Sequence, residues 1–165
     1  MTSRSIAVLP TNNRTGDDLL IGGASFLEQY AWHSDRTAVA DILTAEASEH
    51  LTQDGFHVIA SEEAATVPSD PQSAAHYVAS RHLADVALYI EIRRWETEAS
   101  FHPSFVIAVV DVSLVEATSG RILWTASHPA RPILTPGVVS VADAYALAAD
   151  EVITNLLAPF ADGVR

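Results

Sequence analysis

The chain of 165 residues carries 21 acidic residues against nine Arg and no Lys, a net charge of −12, with 48% hydrophobic and 18% charged residues. That balance is globular rather than disordered, and the length suits one domain over residues 1–165 with a core of its own. The acidic residues are spread along the chain and no basic stripe interrupts them, which argues against nucleic acid as a partner and against an anionic membrane surface.

Missing residue types exclude further chemistry. Without Lys there is no Schiff base, no cofactor aldimine and no P-loop lysine. Without Cys there is no thiol nucleophile, thiolate metal site or disulfide. The start, MTSRSIAVLP, is too short an apolar run for a signal peptide or a membrane span.

Ser5 to Pro10 (SIAVLP) fits a short buried strand, and Thr11 to Asp18 (TNNRTGDD) is dense in turn formers and reads as a loop. Leu19 to Tyr30 is ambiguous, because Gly22-Gly23 breaks any regular helix. Ser34 to Gly55 reads as a helix capped by Ser34 or Asp35. Val39, Leu43, Ala47 and Leu51 form its apolar stripe, and Gly55 follows its end. Phe56 to Ala60 is the second strand, and a crossover this long favours parallel pairing with the first. Ser69 or Asp70 can cap a second helix with Pro71 in its first turn, running to about Leu83.

An antiparallel meander from Asp85 to Thr125 is the expected centre of the sheet. Its first strand turns Val86, Leu88, Ile90 and Ile92 one way, and Ala87, Tyr89, Glu91 and Arg93 the other. Its second strand is apolar on both faces from Phe105 to Val110, so its start should be buried or covered by another surface. Thr118-Ser119-Gly120 turns into a third strand, Arg121 to Ser127. His128 to Pro136 holds three prolines and cannot be a central strand. Ser140 opens a last helix, with Asp143 approximating a capping box and Pro159 ending the pattern. The expected fold is a mixed α/β (α+β) arrangement of order βαβαβββα, with helices packed on the sheet.

Candidate sites are sparse. Asn12, Arg14 and Asp17 lie just past the first strand, where ligands gather in sheets with parallel strands, and Arg14 suits a carboxylate or phosphate. The same loop also fits a solvated turn whose Asn and Asp bond their own backbone. No His pair has zinc-protease spacing, no acidic pair is placed to converge on one bond, and no GxSxG elbow occurs. No catalytic residue, metal or cofactor is therefore expected. Trp32 and His33 in a loop, and Trp95, Phe101 and Phe105 bordering the first meander connection, suit either core packing or an aromatic surface for a partner.

Four stretches carry a resemblance: IAVLPTNNRTGDD, EHLTQDGFHVI, ADVALYIEI and VSLVEATSGRILWTAS. Together they resemble bacterial envelope lipoproteins of the GNA1162/DUF799 type. More distantly they resemble the periplasmic domains of CsgG-like secretion proteins, LpoB and the TolB N-terminal domain. The resemblance covers Ser5 to Ser127 and implies an anticodon-binding-domain-like fold. It also implies a lipid anchor at the inner leaflet of an outer membrane, a periplasmic location, and work through protein contacts without enzymatic activity. The chain departs from the group in lacking the lipid-bearing cysteine, so a signal and lipobox either lie outside it or never existed. GGASFLEQYAWHSD is also richer than expected for the secretion-protein domains. The group is not defined by catalytic residues, so none is carried over.

Two functions compete on this reading. One is a self-associating, non-enzymatic envelope adaptor or assembly factor with an unidentified envelope protein as partner. The other is a small-ligand binding or hydrolytic domain in which Arg14, Asp17 and His33 converge beside Trp32.

Overall fold

The computed structural model describes residues 4–21, 37–60, 67–99 and 102–163. Within them the elements run β1 (Ser5–Val8), β2 (Asn12–Asn13), β3 (Leu20–Ile21), β4 (Thr37–Ala38), α1 (Val39–Gln53), β5 (His57–Ala60), α2 (Pro71–Ser80), β6 (Val86–Thr97), β7 (Phe105–Glu116), β8 (Ile122–Leu134) and α3 (Val141–Gly163). The main sheet has the order β5-β1-β6-β7-β8, with β2 beside β6, and β3 and β4 form a separate antiparallel pair. β1 pairs with β5 and β6 in parallel, while β6, β7 and β8 form the expected antiparallel meander.

Chain direction explains how the helices divide. The crossover from β1 to β5 moves one way across the sheet, and that from β5 to β6 moves back past β1. Parallel crossovers share one hand, so two that move in opposite directions must run over opposite faces. Accordingly, Val39, Leu43, Ala47 and Leu51 of α1 join Ala148, Val152 and Leu156 of α3 over one face, against Val86, Leu88, Ile90 and Ile92. Ala74 and Val78 of α2 pack on the other face, against Ala7, Leu9, Ala87 and Tyr89. We call these the closed face and the open face, because α2 covers only part of the second, over β6 and the Ala117 end of β7.

Five boundaries differ from the sequence reading. Helix α1 begins at Val39, and Ser34 and Asp35 lie outside the described residues. Its N-cap, Ala38, gives no side-chain cap. The first amide is satisfied by backbone instead, Val39 N donating to Leu19 O at 3.0 Å. At its other end Gly55 has φ +90°, the left-handed position that a glycine fills without a Cβ penalty. Asn12 and Asn13, expected in a loop, extend the sheet as β2 opposite Glu91 and Ile92. Strand β8 runs through Pro129 and Pro132 to Leu134, which an edge strand tolerates because one side of its backbone has no ladder to complete.

Helix α3 likewise continues past Pro159 to Gly163. Asn155, whose carbonyl loses its helical donor to the proline, is exposed, so water can replace that bond. One residue further on, the Phe160 ring meets Trp124 at 4.6 Å and Phe56 at 6.0 Å, both edge-on, which anchors the last turns. Two expected caps are present: Asp70 accepts from Ser73 N at 2.7 Å to start α2, and Ser140 Oγ accepts from Asp143 N at 3.1 Å before α3. Helix α2 stops at Ser80 rather than Leu83, with His82 turned into the left-handed region.

Leu88 is fully buried between α1, α3 and the sheet, so Leu88→Ala should cost about 2–5 kcal/mol in urea unfolding. Trp124 is half-buried at the rim, and Trp124→Ala should cost less. Equal costs, or a loss near zero at Leu88, would contradict this packing.

Candidate functional site

Glu91 is the residue from which the open face is best read. Strand alternation turns it away from Ile90 and Ile92, past the reach of α2's apolar contacts, yet it is 6% exposed. A carboxylate in that position must be paired to stay charged. It accepts from Arg14 Nη1 at 3.2 Å, Arg93 Nε at 3.0 Å and Tyr89 Oη at 3.1 Å. Burial alone would push its pKa up, but the bonds from Arg14, Arg93 and Tyr89 outweigh burial and hold it below the usual glutamate range.

Strand register adds a like charge. Asp111 of β7 lies directly across from Glu91, an unfavourable pairing on neighbouring strands. Arg93 neutralises it by bridging the two, with Nε 2.6 Å from Asp111 Oδ2. Tyr89 accepts from Asn12 Nδ2 at 2.9 Å and lies 3.1 Å from Ser69 O, which ties β2 and the start of α2 to the same network. Burial, first, and the neighbouring Glu91 raise the Tyr89 pKa against the opposing bond from Asn12, so the phenol keeps its proton. These groups line a cleft of about 350 Å³ together with Ser113, Thr125 and Ser127.

Beyond the cleft the open face turns apolar. Val106, Ala108 and Val110 point into the closed-face core, so Phe105, Ile107 and Val109 point the other way, and all three are half-buried. Leu134, paired with Phe105, is 69% exposed. No helix among the described residues covers this end. A shallow groove of about 570 Å³ adjoins it, lined by His102, Leu134, Pro136 and Val139 among others, and Val139 is 51% exposed. Arg94 and Glu96 pair with each other on β6 opposite Val109 and Ile107.

The residues singled out from sequence separate into groups. Asn12 and Arg14 join one network, Asn12 through Tyr89 and Arg14 through Glu91. Asp17 does not join them: its carboxylate accepts from Leu19 N at 3.2 Å and its carbonyl from Asn13 Nδ2 at 2.7 Å, the self-bonded turn that the loop's composition also allowed. Trp32, His33 and Phe101 lie outside the described residues. Phe105 belongs to the uncovered apolar end. Trp95 is corrected to core, 5% exposed with its ring edge-on to Tyr145 at 5.8 Å. The cause is a register shift between Ile92 and Arg94, which inserts one residue and returns Trp95 to the closed face. Sequence reasoning missed Glu91, Tyr89, Arg93 and Asp111 as a cluster. An acid alternating with isoleucines was the available signal, but Arg14 comes from the loop after β2 and Asp111 from β7.

Chemically, the cleft is a satisfied ion-pair network. Its acids are already paired with its arginines, and no described nucleophile is paired with a base there. Among the described residues, the apolar end is the part of this face that no helix covers.

No protein-family model matches the sequence, and a comparison with curated proteins returns no match. Solved structures do match. The PelC dodecamer from Paraburkholderia phytofirmans is similar at TM-score 0.61 and 15% identity, over 95% of this chain and 87% of that one. A DUF330 protein from Xanthomonas campestris is similar at TM-score 0.55 and 17% identity, over 98% and 86%. Lipoprotein GNA1162 from Neisseria meningitidis, of the type that the sequence resembles, is similar at TM-score 0.50 and 18% identity, over 76% and 80%. What these proteins share with this chain is the fold.

Two outcomes test the cluster. Arg93→Ala leaves Glu91 facing Asp111 without the bridge and should lower stability in urea unfolding by more than Arg121→Ala at the exposed hairpin does. Because the folded Glu91 pKa is depressed, its contribution is present above the ordinary value of 4.5 and lost as pH falls through the lower folded value. The stability advantage of wild type over Glu91→Gln, measured from neutral pH downward, should therefore shrink below about pH 4.5. An advantage that is flat with pH would show that the charge of Glu91 is not what the arginines hold.

Proposed function

We propose that this chain is a non-enzymatic cell-envelope domain of the lipoprotein type that acts as an adaptor or assembly factor by protein contacts, beginning with other copies of itself. The observation that carries the reading is the uncovered apolar end of the open face: Phe105, Ile107, Val109 and Leu134 side by side on two strands. Such a patch, rimmed by charged residues, is the usual mark of a protein contact on a soluble domain. A second copy suits it despite the net charge of −12, because Arg94 and Glu96 place charges of both signs at the rim. The likeness to PelC, whose structure is a dodecamer, and to the lipoprotein GNA1162 supports both halves of the proposal.

The ligand-binding alternative loses its main support at Asp17, which turns away from Arg14 into its own loop. Among the described residues no helix is long and apolar enough to cross a membrane, so under this proposal the membrane is reached through a lipid anchor outside the chain.

Sedimentation velocity at increasing concentration tests self-association. Wild type should form oligomers, and Leu134→Arg should shift the distribution to monomer while changing stability by no more than about 0.5 kcal/mol, as exposed substitutions do. Monomer at every concentration, or a variant that assembles like wild type, would remove this half of the proposal. Reading the gene upstream of Met1 tests the other half. An export signal ending in a lipobox cysteine is expected, and a start at Met1 with neither would overturn the envelope assignment.

A further inference from the structure

On the closed side of the molecule, helices α1 and α3 lie against one another and bring together side chains from two distant parts of the sequence. Glu46 and His50 are one turn apart on α1 and share a face. Asp150 and Thr154 are one turn apart on α3 and meet them. One donor atom each from Glu46, His50 and Asp150 lies within 4.8 Å of the other two. His50 Nε2 is 3.7 Å from Asp150 Oδ1 and 3.2 Å from Thr154 Oγ1. Ligands at about 2.0–2.2 Å from a tetrahedral zinc ion stand roughly 3.4 Å from each other, so the His50–Asp150 spacing is close to that of two zinc ligands.

We propose that Glu46, His50 and Asp150 form a divalent transition-metal site, with Zn²⁺ the ion best matched to it, that staples α1 to α3. An imidazole with two carboxylates suits Zn²⁺ and its first-row neighbours, whereas Ca²⁺ and Mg²⁺ prefer oxygen ligands throughout. Three protein ligands leave a fourth position for water. Access is direct, since Asp150 is exposed while Glu46 and His50 are half-buried. The charges agree with this reading. The Glu46 and Asp150 carboxylates face each other within that spacing, an arrangement that a dication would relieve. The site lies on the face of the sheet opposite the proposed contact surface and does not depend on that surface.

Isothermal titration of the full chain with ZnCl₂ after EDTA treatment, with CaCl₂ as the comparison ion, tests the site. One Zn²⁺ per chain and no Ca²⁺ response are expected. Asp150→Asn, at an exposed position, and His50→Gln should each weaken Zn²⁺ binding by more than about tenfold, since even residues that only support a ligand cost about that much. Thermal unfolding gives a second readout. Zn²⁺ should raise the wild-type midpoint, whereas Glu46→Gln should unfold at a higher temperature than wild type in EDTA and gain nothing from Zn²⁺. No saturable Zn²⁺ binding by wild type, or equal binding by Asp150→Asn and His50→Gln, would overturn the proposal.

Discussion

The whole arrangement depends on the register of β6. This strand pairs with β1 and β2 on one side and β7 on the other, so its alternation decides what each face of the sheet is made of. Val86, Leu88, Ile90 and Ile92 are buried under α1 and α3, while Ala87, Tyr89 and Glu91 face α2 and the cleft. A slip of one residue would put Glu91 under α3 and Leu88 in the cleft, exchanging a satisfied ion pair for an unpaired buried charge. The Glu91 network therefore favours this register over the next, and it does so through charges on β6, on β7 and at Arg14 just past β2 that meet only when all three strands are placed.

The register shift after Ile92 is the second determinant. By inserting a residue it leaves Arg93 on the open face, bridging Glu91 and Asp111, and returns Trp95 to the closed face against Tyr145. A regular strand could not do both, because Arg93 and Trp95 would then share a face. The bulge thus separates the polar cleft from the apolar end of the open face, and it supplies the closed core with one of its larger side chains.

Much of the fold was legible because its signals are local. The stripe Val39, Leu43, Ala47 and Leu51, the Asp70 cap with Pro71, the Gly120 turn and the alternation from Val86 to Ile92 are each set by a few neighbouring residues. The misses all turn on distant partners. Helix α1 lost its expected cap because Leu19 O satisfies the first amide. Strand β8 kept Pro129 and Pro132 because it is an edge, and α3 kept Pro159 because the freed carbonyl belongs to an exposed residue. The candidate sites were less legible than the fold for the same reason. Arg14 could be suspected from its place beyond β1, but Glu91 could not be given as its partner. His50 has no histidine at metal-ligand spacing, and Asp150 lies a hundred residues away on another helix.

The two faces also differ in what more they can accept. On the closed face, two helices already satisfy the sheet, and whatever binds there must do so at their outer seam, as Glu46, His50 and Asp150 allow. On the open face α2 is only ten residues long and seats over Ala7, Leu9, Ala87 and Tyr89, so the long strands β7 and β8 extend beyond it. Lengthening a hairpin past the helix that covers it exposes apolar side chains unless the new residues are polar. Here they are Phe105, Ile107, Val109 and Leu134, while the prolines of β8 blunt its free edge against strand addition. An edge protected against pairing beside a face left apolar favours association through side chains over sheet extension, and that limits a partner to packing flat on the strands.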